Sequence, residues 1–311
     1  MTRLVDTSSD RSELLRTAHL VGRSERADLQ LDDPRVSSEH ASLRWTGRSW
    51  QVRDLGSRNG TWVDGTRLES GGSAALCVGT LLSFGHDGAD WELADDAAPT
   101  LRALHLTSGT VRHGKGDLLA LPDDDDPQLC VVADPDGTWL VESADDSRPA
   151  TDGELLTVVG ESWRLDLPHA VERTADASAE ADATDLPTLD DLTFDFRVST
   201  DEEHVEVSVS CGPHRWELGA RAHHYLLLTL ARLRLRDRDD TELPSTSRGW
   251  VAQVDLQKML GYSTSGLHVA IFRARRELAD LGIQSSADVV ERRRQAGQVR
   301  LGVESLHVHA V

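Results

Sequence analysis

The pattern of apolar and polar residues divides the chain into segments of different character. In the N-terminal third, apolar residues such as Ala41 and Leu43 alternate with polar ones over short stretches, and turn sequences such as Asn59-Gly60 separate these stretches. Alternation with a period of two predicts strands with one buried face, and Asn-Gly pairs are typical of tight hairpin turns. No stretch in this segment keeps a helical period. We therefore predict an all-β sandwich, forming one domain over residues 1–98.

The next segment, residues 99–168, also has the pattern of short strands, and it repeats part of the first segment. When residues 27–54 are aligned with residues 116–143, apolar positions coincide. Similarity at a fixed offset indicates a duplicated structural unit, so the sequence predicts a second β-sandwich of the same kind. The coinciding pairs include Leu29 and Leu118, Leu43 and Val132, Trp50 and Trp139, and Val52 and Val141.

Residues 169–190 are rich in Ala, Asp and Glu and contain no aromatic residue. This composition predicts an extended or disordered linker, with a short exposed helix as the alternative. Short strands and then three helical stretches follow. The third helical stretch, residues 266–281, has apolar residues at helical spacing, and either Ser263 or Thr264 can form its N-terminal cap. Since a predicted hairpin over residues 289–303 comes next, we expect an α+β domain over residues 191–311.

The distribution of charge affects how this last domain is interpreted. The whole chain has a net charge of −20, yet residues 219–311 contain 14 Arg and Lys against 10 Asp and Glu. A strongly acidic chain does not bind nucleic acid non-specifically as a whole, whereas a locally basic domain can. No apolar run approaches the roughly 18 to 20 residues that span a membrane. The three separated cysteines favour a reducing cytoplasm, and the near-absence of lysine is typical of a high-GC bacterium.

Three sequence blocks in the first domain have a recognisable order and spacing. They are Val21–Arg23 (VGR), Arg35–Ala41 (RVSSEHA) and Asp54–Gly65 (DLGSRNGTWVDG). Together they resemble the signature blocks of forkhead-associated (FHA) domains, which bind a phosphothreonine peptide with the loops at one end of a β-sandwich. The resemblance implies peptide contacts for Arg23, Ser37, Ser57, Arg58 and Asn59. It also implies that the binding loops are shaped by Gly22, His40, Gly56 and Gly60.

The residue types at these positions suit a phosphate dianion. A guanidinium such as that of Arg23 can form charge-assisted hydrogen bonds with phosphate, and the hydroxyl of Ser37 can donate another. The amide of Asn59 offers both a donor and an acceptor to a peptide backbone. Taken singly, the arginines fit solvated surface positions and Ser37 fits a turn cap. The coincidence of all three blocks favours the phosphothreonine site.

The second sandwich departs from this pattern where the phosphate would bind. At the offset of the repeat, Arg112 aligns with Arg23, but Asp126 aligns with Ser37. The acidic run Asp123–Asp126 would repel a dianion. We therefore predict a degenerate FHA-like copy that binds no phosphate. A calcium loop at the aspartates is the alternative to a solvated loop, although they lack the spacing of calcium ligands.

The order of elements in residues 191–311 resembles the winged helix at the C-terminus of response regulators, without a sharp sequence motif. In that fold the third helix enters the major groove of DNA and the hairpin contacts the DNA backbone. The resemblance implies duplex DNA as a partner, while solvated helix and strand faces are the alternative explanation of the basic residues. The candidate DNA-binding residues are Arg273, Arg275, Arg276, Arg292, Arg293, Arg294 and Arg300.

These patterns predict a multidomain cytoplasmic regulator of transcription. It would bind a threonine-phosphorylated protein, which would be a serine/threonine kinase or the substrate of one. The alternative is an adaptor whose C-terminal domain binds protein instead of DNA. We expect no enzyme, because the sequence contains neither Gly-x-Ser-x-Gly nor a glycine-rich phosphate loop with lysine. We also expect no cofactor and no metal, since His307 and His309 alone do not make a metal site.

Overall fold

The computed structural model describes residues 2–134, 136–168 and 187–311. The described residues form two compact units, one of residues 2–100 with 165–168 and the other of residues 101–164 with 187–311. Most of the predicted linker, residues 169–186, lies outside the described residues. Its last residues differ from the expectation, because Leu189 is only 5% exposed and belongs to the C-terminal core.

The first unit is a β-sandwich, as the alternating pattern predicts. One sheet has the strand order β2-β1-β11-β10-β7-β8 and the other the order β4-β3-β5-β6-β9. The strands are β1 (Arg3–Asp6), β2 (Ser12–Leu14), β3 (Ala18–Gly22), β4 (Leu29–Gln30), β5 (Ala41–Trp45), β6 (Trp50–Asp54), β7 (Thr61–Val63), β8 (Thr66–Arg67), β9 (Ser73–Leu76), β10 (Leu81–Phe84) and β11 (Trp91–Asp95).

The core of this sandwich comes from alternate residues of its strands. Leu43 on β5 and Val52 on β6 are opposite each other in the register and are both fully buried. Trp50 and Phe84 are the largest fully buried side chains of this cluster, and Trp91 is 3% exposed. Alternation places the inner side chains of two facing sheets in one shared core, while the loops at the ends of the sandwich stay accessible.

The first part of the second unit is another pair of four-stranded sheets. Their strand orders are β13-β12-β19-β18 and β14-β15-β16-β17. Trp139 and Trp163 are buried in this part of the chain, 9% and 4% exposed. The strands are β12 (Arg102–His105), β13 (Val111–His113), β14 (Leu118–Leu121), β15 (Leu129–Ala133), β16 (Trp139–Glu142), β17 (Ser147–Pro149), β18 (Leu155–Val158) and β19 (Glu161–Asp166).

The two sandwiches share a topology, and the topology corrects part of the predicted repeat. The sheet β14-β15-β16-β17 has the order of β3-β5-β6-β9, and β13-β12-β19-β18 has the order of β2-β1-β11-β10. The matches of Trp50 with Trp139 and of Val52 with Val141 therefore hold. The match of Leu29 with Leu118 is wrong, because β14 is the counterpart of β3 and not of β4.

The C-terminal part of the second unit follows the predicted order of strands, three helices and a hairpin. One sheet has the order β22-β21-β20-β26, with β26 parallel to β20, and a smaller sheet has the order β23-β25-β24. The elements are β20 (Thr193–Val198), β21 (Val205–Cys211), β22 (His214–Ala220), α1 (His224–Arg238), β23 (Val251–Ala252), α2 (Gln253–Leu260), α3 (Thr264–Asp280), β24 (Val290–Arg293), β25 (Gln298–Leu301) and β26 (Ser305–Ala310).

Helix boundaries in this part agree with local sequence rules. Ser263 caps α3, because its Oγ accepts a hydrogen bond from the N–H of Gly266 at 3.0 Å. Helix α2 ends at Gly261, which adopts the left-handed conformation with φ of 66°. None of the described helices is long and apolar enough to cross a lipid bilayer.

Candidate functional site

The loops at one end of the first sandwich bring together residues from the three sequence blocks. The N–H of Arg23, at the end of β3, donates a hydrogen bond to the backbone oxygen of Ser37 at 2.9 Å. The hydroxyl of Ser37 in turn accepts the N–H of Arg58 at 3.1 Å. Hydrogen bonds therefore connect three of the residues expected to contact phosphate, although they are up to 35 positions apart in the sequence.

His40 holds the loop of Ser37 in place from below. Its Nδ1 accepts the N–H of Ser37 at 3.0 Å, so Nε2 carries the proton and donates to the backbone oxygen of Gly60 at 3.0 Å. The ring is buried and packs edge-on against Phe84. Burial lowers the pKa of His40, which keeps the ring neutral and preserves this pair of contacts near neutral pH.

Asp54 organises the loop that follows β6, and sequence reasoning did not single it out. Its carboxylate accepts the N–H of Gly56 and the hydroxyls of Ser57, at 2.6 Å, and Thr61, at 2.8 Å. Burial alone would raise the pKa of Asp54, but the hydrogen bonds from Ser57 and Thr61 outweigh it and the pKa is lowered. The available signal was its place as the first residue of the third block.

This geometry gives Ser57 a supporting function within its loop. Its hydroxyl donates to Asp54 and accepts the N–H of Gly60 at 3.0 Å. Both contacts lie within its own loop, so Ser57 supports the loop. The hydroxyl hydrogen of Ser57 is thus used within the loop, and the expected contact of Ser57 with a peptide stays a prediction.

The remaining predicted residues differ in how free their side chains are. The amide of Asn59 donates to the backbone oxygen of Arg35 at 2.7 Å, which joins the second and third blocks. Arg35 itself is paired with Asp33 at 2.6 Å. Arg23 and Arg58 are exposed, and neither forms an ion pair with another described residue. The Nε of Arg23 donates a hydrogen bond to the backbone oxygen of Val36 at 3.3 Å. Both guanidiniums thus lack a carboxylate partner among the described residues, and both belong to residues whose backbone N–H groups hydrogen-bond Ser37.

Gly22 is required by a close approach of two backbone segments. A Cβ atom at this position would lie 2.2 Å from the backbone oxygen of Ser38. The loop that carries Ser37 can pack against β3 only because residue 22 has no side chain. Gly56 and Gly60 have φ of 78° and 93°, where other residues are strained.

The second sandwich lacks this arrangement. Arg112 lies on β13, the counterpart of β2, and is therefore not equivalent to Arg23 as the sequence alignment indicated. It forms an ion pair with Asp124 at 3.1 Å. The loop after β14 has only 7 residues, against 18 between β3 and β5. Among the described residues, the aspartates of this loop form no group of three metal ligands.

The seven arginines expected to contact DNA are placed unequally. Arg273 and Arg293 are exposed, and Arg293 stacks on Trp250 with the guanidinium carbon 4.1 Å from the ring centroid. Arg300 pairs with Glu291 at 2.7 Å. The other four, however, pair with carboxylates of the second sandwich. They are Arg275, Arg276, Arg292 and Arg294.

Arg275 departs most clearly from the expectation of a DNA contact. It is 4% exposed, and its guanidinium lies 2.7 Å from the carboxylate of Glu142, which is 2% exposed. The sequence placed Arg275 off the apolar stripe of α3 and hence on a solvated face. The physical reason for the difference is that α3 is covered on that face as well.

One group of possible metal ligands occurs among the described residues, and it fits an ion-pair cluster better than a metal site. The ligand atoms of His223, His224 and Glu277 lie within 4.8 Å of one another. Arg221 already pairs with Glu277 at 2.8 Å. The Nδ1 of His224 is buried without a hydrogen-bond partner among the described residues, whereas a ligating histidine usually donates through its second nitrogen. His307 and His309, in turn, lie beside Asp195 on the surface.

Replacing Glu277 with Gln is expected to destabilise this cluster in a pH-dependent way. Burial alone would raise the pKa of Glu277, but hydrogen bonds from His223 and His224 bring it down to about 2. Because the folded pKa lies below the unfolded one, the contribution is complete above about pH 4.5 and is lost as pH falls toward 2. We expect Glu277→Gln to lower the free energy of unfolding by about 2 kcal/mol at pH 7. Urea unfolding at pH 7, 4 and 3 measures this effect. The difference in the free energy of unfolding between wild type and variant should shrink as the pH falls, and a difference that stayed constant would contradict the prediction.

Comparisons with known proteins agree with the geometry of the first sandwich. Residues 19–85 match the family model described as FHA domain. The FHA domain-containing protein FhaB of Mycobacterium tuberculosis is 36% identical over 66 residues, which are 21% of this chain and 41% of FhaB. The glycogen accumulation regulator GarA of Mycolicibacterium smegmatis is 45% identical over 64 residues, 21% of this chain and 39% of GarA.

Among solved structures, one similar chain is Mycobacterium tuberculosis EmbR in complex with a low affinity phosphopeptide. It has 27% identity and a TM-score of 0.28, and the match covers 32% of this chain and 26% of EmbR. The present chain thus spans less than half the length of FhaB, GarA or EmbR. Each of the three matches covers no more than about a third of the present chain. Residues 19–85 of this chain form an FHA domain similar to those of mycobacterial FHA proteins.

Proposed function

We propose that the FHA domain binds a phosphothreonine-containing segment of a partner protein, and that the chain acts in signalling through this contact. The observation that carries the proposal is the arrangement around Ser37. The hydroxyl and the backbone oxygen of Ser37 accept hydrogen bonds from the backbone N–H groups of Arg58 and Arg23. Both arginine side chains are exposed and have no carboxylate partner among the described residues. Elsewhere in the chain, arginines such as Arg275 and Arg112 are neutralised by aspartate or glutamate.

A phosphorylated peptide suits this site better than a small molecule does. The arginines lie on surface loops at the end of the sandwich, where an extended chain can run across them. A phosphate dianion would gain charge-assisted hydrogen bonds from both guanidiniums. The amide of Asn59, next to Arg58 in the chain, uses one N–H on the backbone oxygen of Arg35, and its oxygen is proposed to contact the peptide backbone. We accordingly propose binding and no catalysis, in a reducing compartment such as the cytoplasm that suits three free cysteines.

Calorimetry on the full-length protein tests this function. The protein would be titrated with a library of phosphothreonine peptides and with the same peptides lacking phosphate. We expect saturable binding for the phosphorylated form, at least tenfold tighter than for the unphosphorylated form. Equal affinities for both forms across the library would reject the proposal.

A second candidate function, regulation of transcription through DNA binding, concerns the C-terminal part of the chain. The supporting observation is the basic hairpin β24–β25, where Arg293 and Arg300 both lie over the ring of Trp250. Stacking holds the two guanidiniums in fixed positions, which favours contacts with a phosphate backbone. Fluorescence anisotropy with a duplex at two salt concentrations tests it. Binding that weakens with salt would support DNA as a partner. No binding at low salt, either by the wild-type protein or by a variant in which the Glu142 partner of Arg275 is replaced with Gln, would favour the adaptor function.

A further inference from the structure

Helix α3 is buried on two different faces. Its first face, which includes Leu267, Ile271 and Leu278, packs into the core of the C-terminal part. Its second face consists of His268, Phe272, Arg275 and Ala279, which are all at least 92% buried. These four residues are spaced three or four positions apart and therefore lie on one face of the helix. This face is rotated by about a quarter of a turn or more from the first face. Helix α3 therefore packs against two different partners.

The second partner is the sheet of β14, β15 and β16. Phe272 belongs to one apolar cluster with residues of that sheet and with Ala287. All four residues of β14 and all four of β16 are buried, so this sheet is covered on both faces. The sheet residues in the cluster are Leu118, Ala120, Cys130, Val132 and Leu140. The apolar contact is thus continuous from the second sandwich to α3.

Carboxylates of the second sandwich surround this apolar contact. At its centre Glu142 lies 2.7 Å from Arg275 and 3.5 Å from Arg292. Toward its edges Asp124 pairs with Arg276 at 3.0 Å, and Asp134 pairs with Arg294. Three acidic side chains therefore hold four of the arginines that DNA binding would use.

We propose that the second sandwich masks the DNA-binding face of α3 and the hairpin by presenting carboxylates where DNA would present phosphates. A guanidinium that is paired with a buried carboxylate cannot at the same time pair with a phosphate. The two arrangements exclude each other, and opening of this contact must precede full engagement of a duplex. This inference rests on the second candidate function for its consequence, but the closed contact can be tested independently of DNA.

The test uses the full-length protein and two variants, with one control. Glu142→Gln removes the central charge with little change of shape. The double variant Asp124→Asn with Asp134→Asn removes only the partly exposed pairs, and it keeps the test decisive if Glu142→Gln does not fold. Asp125→Asn is the matched control, because Asp125 lies next to Asp124 on the loop between β14 and β15, is exposed, and forms no ion pair with a described residue.

Opening is measured through the thiol of Cys130. This residue is 1% exposed within the contact and lies 3.5 Å from Nε2 of His268. Burial raises the pKa of Cys130 to about 12, so the closed form should react very slowly with a maleimide. Labelling of each cysteine would be followed by mass spectrometry. We expect Cys130 to react at least tenfold faster in Glu142→Gln and about threefold faster in the double variant than in wild type. Asp125→Asn should leave the rate unchanged. Unfolding of a variant would be recognised because Cys211 would also be labelled faster.

Duplex binding is measured on the same proteins by fluorescence anisotropy at low salt. We expect at least tenfold tighter binding for Glu142→Gln than for wild type and no change for Asp125→Asn. Suppose that Cys130 is labelled faster in Glu142→Gln but that no variant binds the duplex. The closed contact in the wild-type protein would then be supported, whereas DNA as the partner, and with it the masking of DNA, would be rejected. Equal duplex binding by wild type and all variants would reject the masking while DNA binding stands. Unchanged labelling of Cys130 in both variants would also overturn the masking.

Discussion

Replacing both Arg23 and Ser37 with alanine is expected to lower the affinity for a phosphothreonine peptide at least 100-fold. Each charge-assisted hydrogen bond contributes about 1.5 to 3 kcal/mol, and each 1.4 kcal/mol is a factor of about ten in affinity. The double variant also loses the bond between the Ser37 hydroxyl and the N–H of Arg58. Isothermal titration calorimetry with one peptide from the library measures the effect.

Arg112→Ala is the matched control for this prediction. Arg112 aligns with Arg23 in the sequence repeat, but it lies on β13 and is paired with Asp124. Its replacement should therefore leave the peptide affinity unchanged. A loss in Arg112→Ala comparable to that of the double variant would mean that the second sandwich also binds phosphate. A loss of less than threefold in the double variant would contradict the assignment of the site.

Replacing Gly22 with alanine is expected to destabilise the FHA domain and to abolish peptide binding. The new Cβ would lie 2.2 Å from the backbone oxygen of Ser38, and a backbone atom cannot move aside as a side chain can. We expect a loss of about 3 kcal/mol, at the upper end of the range for overpacking. Amide hydrogen exchange in β3 and β5 of the full-length protein measures this loss locally.

Gly47→Ala provides the comparison. Gly47 lies in the turn between β5 and β6, has φ of 93°, and has no neighbouring atom within 4 Å of the place that a Cβ would take. Its replacement costs only the strain of the left-handed conformation, about 1 kcal/mol, and should leave peptide binding intact. If amide hydrogens in Gly22→Ala exchanged no faster than in Gly47→Ala, the close approach of the Ser37 loop to β3 would not be essential.

The first sandwich could be predicted well from the sequence because its information is local. Alternation fixes which side chains of β5 and β6 face inward, and the glycine turns separate the strands. The binding loops were found because their residues are grouped in three short blocks. The loop-supporting contact of Ser57 was not predicted, since a motif gives its residue type but not the direction of its hydroxyl. That direction is set by Asp54, through a hydrogen bond of 2.6 Å.

The register of the repeat could be predicted only in part. Trp50 and Trp139, which the alignment matches, lie on β6 and β16, and both copies contain this strand. Upstream of them, the loop between β14 and β15 is 11 residues shorter than the loop between β3 and β5, so a fixed offset compares unrelated segments there. The false match of Arg112 with Arg23 arose in this way.

The second buried face of α3 was not predicted, because the sequence shows periodicity but not which neighbour covers a face. The apolar stripe through Leu267 and Ile271 identified one side of the helix correctly. Phe272 was the signal for the other side, since a phenylalanine off the main stripe is unusual on a solvated face. Arg275 gave no such signal, because a buried and a solvated arginine look alike in a sequence.

The coverage of β14 and β16 on both faces has a practical consequence for preparing fragments of this protein. A truncated chain of residues 187–311 would expose Phe272 and Ala287, and a chain ending before residue 187 would expose Leu118 and Leu140. Contiguous apolar surface of this kind promotes aggregation. We expect either fragment to be poorly soluble at concentrations at which residues 101–311 together remain in solution. Shortened proteins for biophysical work should therefore keep the two halves of the second unit on one chain.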